Sequence, residues 1–255
     1  MANSNLDTDN ESQCGTEPAP PPSNWEESQD SMKKKLIAED EFVSTEALRY
    51  VGGVDISFSK EDPSVACGTL VVLELHSLRV VYEDFSVVTL HVPYVPGFLA
   101  FREAPVLLEL LEKMKNNANP FYPQVLMVDG NGVLHPRGFG LACHLGVLAN
   151  LPTIGVGKNL HHVDGLTLSR VKELLKAREH LAEDFITLTG DSGRIWGVAM
   201  RSTGGSLKPI FVSIGHRMSL DTAVAIVKMT CKYRVPEPIR QADIRSREYL
   251  RKHRV

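Results

Sequence analysis

Two five-residue runs, Gln124–Val128 and Pro152–Val156, are almost wholly apolar, and a stretch with helical spacing lies between them. Runs this short that do not alternate read as strands buried on both faces, the condition of inner strands in a helix-covered sheet. Upstream, Tyr50–Phe58, Ala66–Leu75 and Arg79–Leu90 read as three successive strands, and the tight His76-Ser77-Leu78 connection predicts antiparallel pairing. Pro93–Gly97 reads as a loop, followed by a helix with Pro105 in its first turn, where a missing N–H costs little. Helices are expected over Gly140–Asn150, Ser169–Leu181, Thr222–Tyr233 and Ile239–His253. Strands are expected over Phe185–Leu188, Ile195–Met200 and Pro209–Ile214. Three strands followed by mixed elements predict an α/β protein, a mixed β-sheet flanked by helices.

Charge divides the chain. Residues 1–32 hold seven acids and no Lys or Arg, together with a Pro-rich run at 18–22. Such a segment buries too little apolar surface to offset its ordering entropy, so it reads as a disordered acidic tail. Lys33–Ala47 then reads as an amphipathic helix entering a domain over 33–250, with a basic end at 251–255. Without the tail, 28 basic residues face 24 acidic ones, a balance that permits a polyanionic partner. Four cysteines lie far apart with no C-x-x-C pair, which argues against a zinc site and a disulfide framework. There is no signal-peptide pattern and no apolar run of ~18 residues, so a soluble intracellular protein without membrane contact is expected.

Chemistry concentrates at a few places. Asp55 interrupts the apolar strand Val51-Gly52-Gly53-Val54-Asp55-Ile56, and Asp129 ends Val125–Asp129 just before Gly130-Asn131-Gly132. A carboxylate in or at the end of a buried strand is costly unless paired, hydrogen-bonded or bound to metal. Two on neighbouring strands would form an oxygen-rich site suited to Mg²⁺ or Mn²⁺. Each could equally cap a turn, and spacing alone leaves both readings open. If helical geometry reaches back one turn from Pro105, Glu103 shares a face with Leu107, Leu110 and Met114 and aims at the sheet. Taken alone, it reads more simply as an acid favoured near a helix N-terminus.

Pro93-Tyr94-Val95-Pro96-Gly97 is a stiff, partly apolar projection of the kind that can separate stacked bases, or else a turn folded on the core. Gly155-Val156-Gly157-Lys158-Asn159 fails as a phosphate loop, because Pro152 and Asn159 stand where Gly and Ser/Thr are required. Lys158 could still meet a phosphate. His216 follows a strand and precedes a helix, so a site role competes with a structural one.

Taken together, Val54-Asp55-Ile56, the segment from Pro93 through Phe98-Leu99-Ala100-Phe101-Arg102 to Glu103, and Val128-Asp129-Gly130-Asn131-Gly132 closely resemble the endonuclease V family. His135-Pro136-Arg137 and Pro152–Lys158 extend the likeness, which runs from about Leu36 to about Arg245 and looks most like a vertebrate member. Val95 stands where that family's wedge often has Ile. The resemblance implies a ribonuclease-H-like fold and Mg²⁺-dependent cleavage, with Mn²⁺ able to substitute, at the second phosphodiester bond 3′ of inosine. The products would carry 3′-hydroxyl and 5′-phosphate ends.

Carried onto this sequence, the resemblance makes Asp55 and Asp129 metal ligands and Glu103 a ligand or water-holder. Lys158 becomes a phosphate or catalytic group and His216 a metal-side assistant. Pro93, Tyr94, Val95 and Pro96 become the wedge, while Gly130, Gly132, Gly138 and Gly140 suit a backbone-lined base pocket. Inosine-containing RNA is the expected partner, ahead of deoxyinosine DNA. The protein is expected as a monomer in cytoplasm and nucleus. A DNA-repair nuclease and a non-catalytic reader of inosine RNA are the competing functions.

Overall fold

In the computed structural model, which describes residues 21–41, 44–177, 185–203 and 208–253, eight strands form one mixed sheet. β1 (Tyr50–Phe58), β2 (Val65–Glu74) and β3 (Val80–Thr89) make the antiparallel meander expected of them. β4 (Val125–Asp129) pairs parallel to β1 on its other edge, and β5 (Thr153–Gly157) pairs parallel to β4. β6 (Phe185–Thr189), β7 (Ile195–Met200) and β8 (Ile210–His216) complete the order β3-β2-β1-β4-β5-β8-β7-β6. The two short apolar runs are therefore inner parallel strands, buried through all but the last residue of β4.

Alternation sorts the side chains of these strands onto two faces. Val54, Leu126 and Val128 pack with Leu107, Leu110 and Leu145 of α2 (Leu99–Asn116) and α3 (Leu141–Ala149). Val51, Met127 and Val156 pack with Ile226, Ile239 and Ala242 of α5 (Leu220–Thr230) and α6 (Glu237–His253). α4 (Leu168–Ala177) sets Val171 and Leu175 against Ile186 and Leu188 of β6. The expected continuation of that helix to Leu181 lies outside the described residues. Gly53 lets α6 come down on β1, because a Cβ there would overlap the Pro238 carbonyl. No helix among the described residues is long and apolar enough to cross a membrane.

Several expectations need correction. Ser23–Lys33, inside the expected tail, is a helix, α1. It is held by tertiary contacts: the Trp25 ring stacks on Phe101 at 4.8 Å, and Gln29 is buried. Composition had marked it as disordered because one aromatic and one amide do the anchoring. Among the described residues of 34–47 there is no α-helix; α1 ends where the expected helix was to begin, and Thr45–Ala47 is a single 3₁₀ turn. Pro105 lies well inside α2, which starts six residues earlier at Leu99. The boundary drawn at 250 falls within α6, which runs on to His253.

Candidate active site

Strand register brings the first two acids together. Val54 of β1 sits opposite Val128 of β4 in a parallel pair, so the next residues, Asp55 and Asp129, lie side by side. By alternation from Val51 and Met127, both project to the α6 face. The charge of Asp129 therefore bears directly on Asp55. Burial, then the charges of Asp129 and Asp243, push the Asp55 carboxyl well above the usual carboxylate range, against the opposing charge of Lys158. Removing two neighbouring carboxylates from water is unfavourable unless positive charge meets them.

Part of that charge is present. Lys158, just beyond β5, donates from Nζ to Asp129 Oδ2 at 2.5 Å. Burial alone would lower the ammonium's pKa, but Asp129, with Asp55 and Asp243 behind it, raises it overall, so Lys158 remains a cation. α6 supplies Asp243, whose Oδ1 pairs with Arg247 Nη2 at 2.7 Å. A chain of hydroxyls fixes this arrangement. Ser57 Oγ lies 3.5 Å from Asp55 Oδ2 and 2.6 Å from Ser246 Oγ, and Ser246 donates to the Asp243 carbonyl at 2.9 Å. Asp55, Asp129, Lys158 and Asp243 line a cavity of about 950 Å³, with Lys60, Arg247 and Arg251 on its walls.

Glu103 approaches from the other side of the sheet. It lies on the buried stripe of α2 with Leu107, Leu110 and Met114, as its spacing predicted. Burial raises its pKa to about 7; Arg102 opposes that and the charge of Asp129 adds to it. Glu103 therefore feels Asp129 but does not line the cavity.

His216, expected as a metal-side assistant, lies apart from this group. It pairs across β8–β5 with Thr153, three residues or about 10 Å back along β5 from Val156, the partner of Asp129. Its Nδ1 accepts the Ile37 N–H at 3.3 Å, so it clasps the segment after α1.

In the loop before α2, Tyr94 is 60 % exposed while Val95 is buried. Pro93 and Pro96 are also exposed, so Val95 anchors the projection instead of forming its tip. Gly132 and Gly140 are needed for close packing, since a Cβ would overlap the backbone of Ile214 and Asn131 respectively. Gly138 adopts a left-handed φ of 66°, and Gly130 one of 154°. α1 ties the two loops together: Gln29 Nε2 donates to the Gly97 carbonyl at 3.2 Å and the Phe139 carbonyl at 3.0 Å. Its Oε1 accepts from Arg137 Nε.

Asp243 and Ser246 escaped the sequence reading. The usable signal was spacing. Both residues share a helix face with Ile239, Ala242 and Leu250, and a polar pair on an inward face asks for a partner.

An eight-stranded mixed sheet, flanked by helices and carrying paired aspartates on adjacent inner parallel strands, defines a ribonuclease-H-like α/β protein. More narrowly, the chain belongs to the endonuclease V family, whose model matches residues 30–244. Endonuclease V of Homo sapiens is 49% identical over 238 residues, covering 89% of this chain and 83% of its own length. Endonuclease V of Mus musculus is 49% identical over 233 residues, covering 89% and 69%. Among solved structures, the catalytic domain of human endonuclease V superposes with a TM-score of 0.86 at 46% identity, covering 91% of this chain and 98% of that one. The Ciona intestinalis endonuclease V, in complex with a 24mer DNA containing an inosine followed by a ribo-adenosine, gives 0.85 at 37% identity, covering 90% and 97%.

Proposed function

We propose that this protein is a divalent-metal-dependent endoribonuclease that cuts inosine-containing single-stranded RNA at the second phosphodiester bond 3′ of the inosine. The observation that carries the reading is the side-by-side placement of Asp55 and Asp129, both half-buried, in the lining of a cavity that Lys60, Lys158, Arg247 and Arg251 also line. A non-catalytic reader has no use for two adjacent, half-buried carboxylates where a phosphate would bind. Family membership supports the inosine preference, as does the inosine-containing oligonucleotide held by the Ciona relative. That oligonucleotide carries a ribonucleotide directly after its inosine, which favours RNA over deoxyinosine DNA.

The donor set fits Mg²⁺ or Mn²⁺: every candidate ligand is a carboxylate oxygen, and the raised Asp55 carboxyl lacks a full counter-charge. Among the described residues no three acid, histidine or cysteine side chains already converge as a cage, so a bound ion would need further ligands besides the protein's own. Asp55 and Asp129 would hold the ion, with Asp243 beside them. A bound divalent cation polarises the phosphate and lowers the pKa of an attacking water.

The protein's own groups do the rest. Lys158 holds a positive charge beside Asp129, where a scissile phosphate would sit. Ser57 and Ser246 fix the distance between β1 and α6. Tyr94 presents a ring to solvent on a proline-stiffened loop, suited to wedging the strand open so that inosine leaves its stack. Matched RNA and DNA oligonucleotides with one inosine, competing for limiting protein in Mg²⁺, test the reading. RNA should be consumed first, at one bond, leaving 3′-hydroxyl and 5′-phosphate ends. Faster loss of the DNA would favour a repair nuclease, and a bound but uncut RNA would favour a reader.

A further inference from the structure

A second, smaller cavity of about 300 Å³ lies against the acid cluster, and Lys158 and Asp243 line both cavities. They form the saddle between the two. Tyr233 lines the smaller cavity and is 54 % exposed, and the Arg240 guanidinium, which lines it too, lies over the Tyr233 ring at 4.2 Å. Arg240 is itself held from behind, by Glu237 at 3.2 Å, and Glu237 is buried and also bonded by Gln241 Nε2 at 2.9 Å. Arg234 braces the same loop by donating to the Lys158 carbonyl at 3.0 Å.

Tyr233 is half-exposed beside the charged cavity, and Arg240 holds its ring in place. Its setting gives it a use. Arg240, Asp243, Arg247 and Arg251 recur at three- and four-residue spacing, so they lie along one face of α6 over about 16 Å. A strand laid along that face with its scissile phosphate at Lys158 and Asp243 would put its flanking nucleotides in the two cavities. Bases stack on aromatic rings irrespective of sequence, and a guanidinium on the far face strengthens such a shelf.

We propose that Tyr233, backed by Arg240, is a stacking shelf for the base of a nucleotide flanking the scissile phosphate. It rests on the nuclease reading above and adds to it a contact that holds the strand in register without reading its sequence. The shelf would account for an aromatic ring in the lining of a cavity that adjoins the charged one at Lys158.

The test uses the full-length protein and inosine RNAs in which each flanking position in turn carries 2-aminopurine or an abasic site. On binding to wild type, 2-aminopurine fluorescence should be quenched most at one position. Tyr233→Ala should abolish that quenching and weaken binding about 5- to 100-fold, while Tyr233→Phe and Tyr233→Trp keep both. With the abasic site at the quenched position, wild type and Tyr233→Ala should bind alike. Cleavage by wild type with undiminished affinity in Tyr233→Ala overturns the shelf and leaves the nuclease. A Tyr233→Ala loss of equal size on every abasic substrate also overturns it, since the ring would then act without a base. If wild type cuts no inosine RNA, the nuclease reading fails and the shelf falls with it.

Discussion

At the scale of single residues, electrostatics decide what each carboxyl can do. Glu103 is an acid whose folded pKa, about 7, lies above its ordinary 4.5. The folded state therefore holds that proton more tightly than the unfolded chain does. The resulting stabilisation is complete below pH 4.5 and is lost as pH rises towards 7. Thermal unfolding in EDTA should show the wild type losing stability over this window relative to Glu103→Gln, which mimics the protonated acid. Parallel curves would remove the assignment. Asp55 is shifted in the same direction by burial and by Asp129, so Mg²⁺ added at pH 8 should raise the melting temperature of wild type more than that of Asp55→Asn. Lys158 has a different task. Removing its charge in Lys158→Ala should slow cleavage by roughly 10²- to 10³-fold, the range for losing one preorganised electrostatic contact. Single-turnover rates with saturating enzyme will measure this, and a rate within a factor of three of wild type would deny Lys158 its part.

At the scale of elements, α1 is a strap across two loops. Gln29 satisfies the Gly97 and Phe139 carbonyls from a buried position. Gln29→Ala should cost about 1–3 kcal/mol in urea unfolding, because it leaves buried acceptors unmet. An unchanged midpoint would show water taking over the role. This helix also marks where sequence reasoning fell short. Composition sees eleven residues of mostly polar chain, whereas the stability comes from Trp25 on Phe101, a contact with a residue far along the sequence. The same blindness placed Pro105 in a first turn, since propensity alone cannot say that α2 begins at Leu99. Strands fared better. The apolar runs that became β4 and β5 owe their pattern to burial on both faces, which is written locally in every residue.

At the scale of the whole molecule, the sheet converts distance along the chain into adjacency. Spacing left Asp55 and Asp129 open between turn caps and a shared site, and the Val54–Val128 register makes them neighbours. Asp243 was hidden because its relevance depends on α6 docking over β1, which Gly53 permits by lacking a Cβ. His216 looked plausible from its place between a strand and a helix, but β8 runs antiparallel to β5, which carries it to the far end of the sheet.

The central claim is that Asp55 and Asp129 act together to hold a divalent cation beneath the phosphate that is cut. Wild type, Asp55→Asn and Asp129→Asn should each be mixed with end-labelled inosine RNA, with Mg²⁺ or with EDTA, and followed by both cleavage and filter binding. Wild type should cut once, and only with Mg²⁺, while both variants retain the RNA uncut. Cleavage by either variant at the wild-type rate, or by wild type in EDTA, would contradict the account.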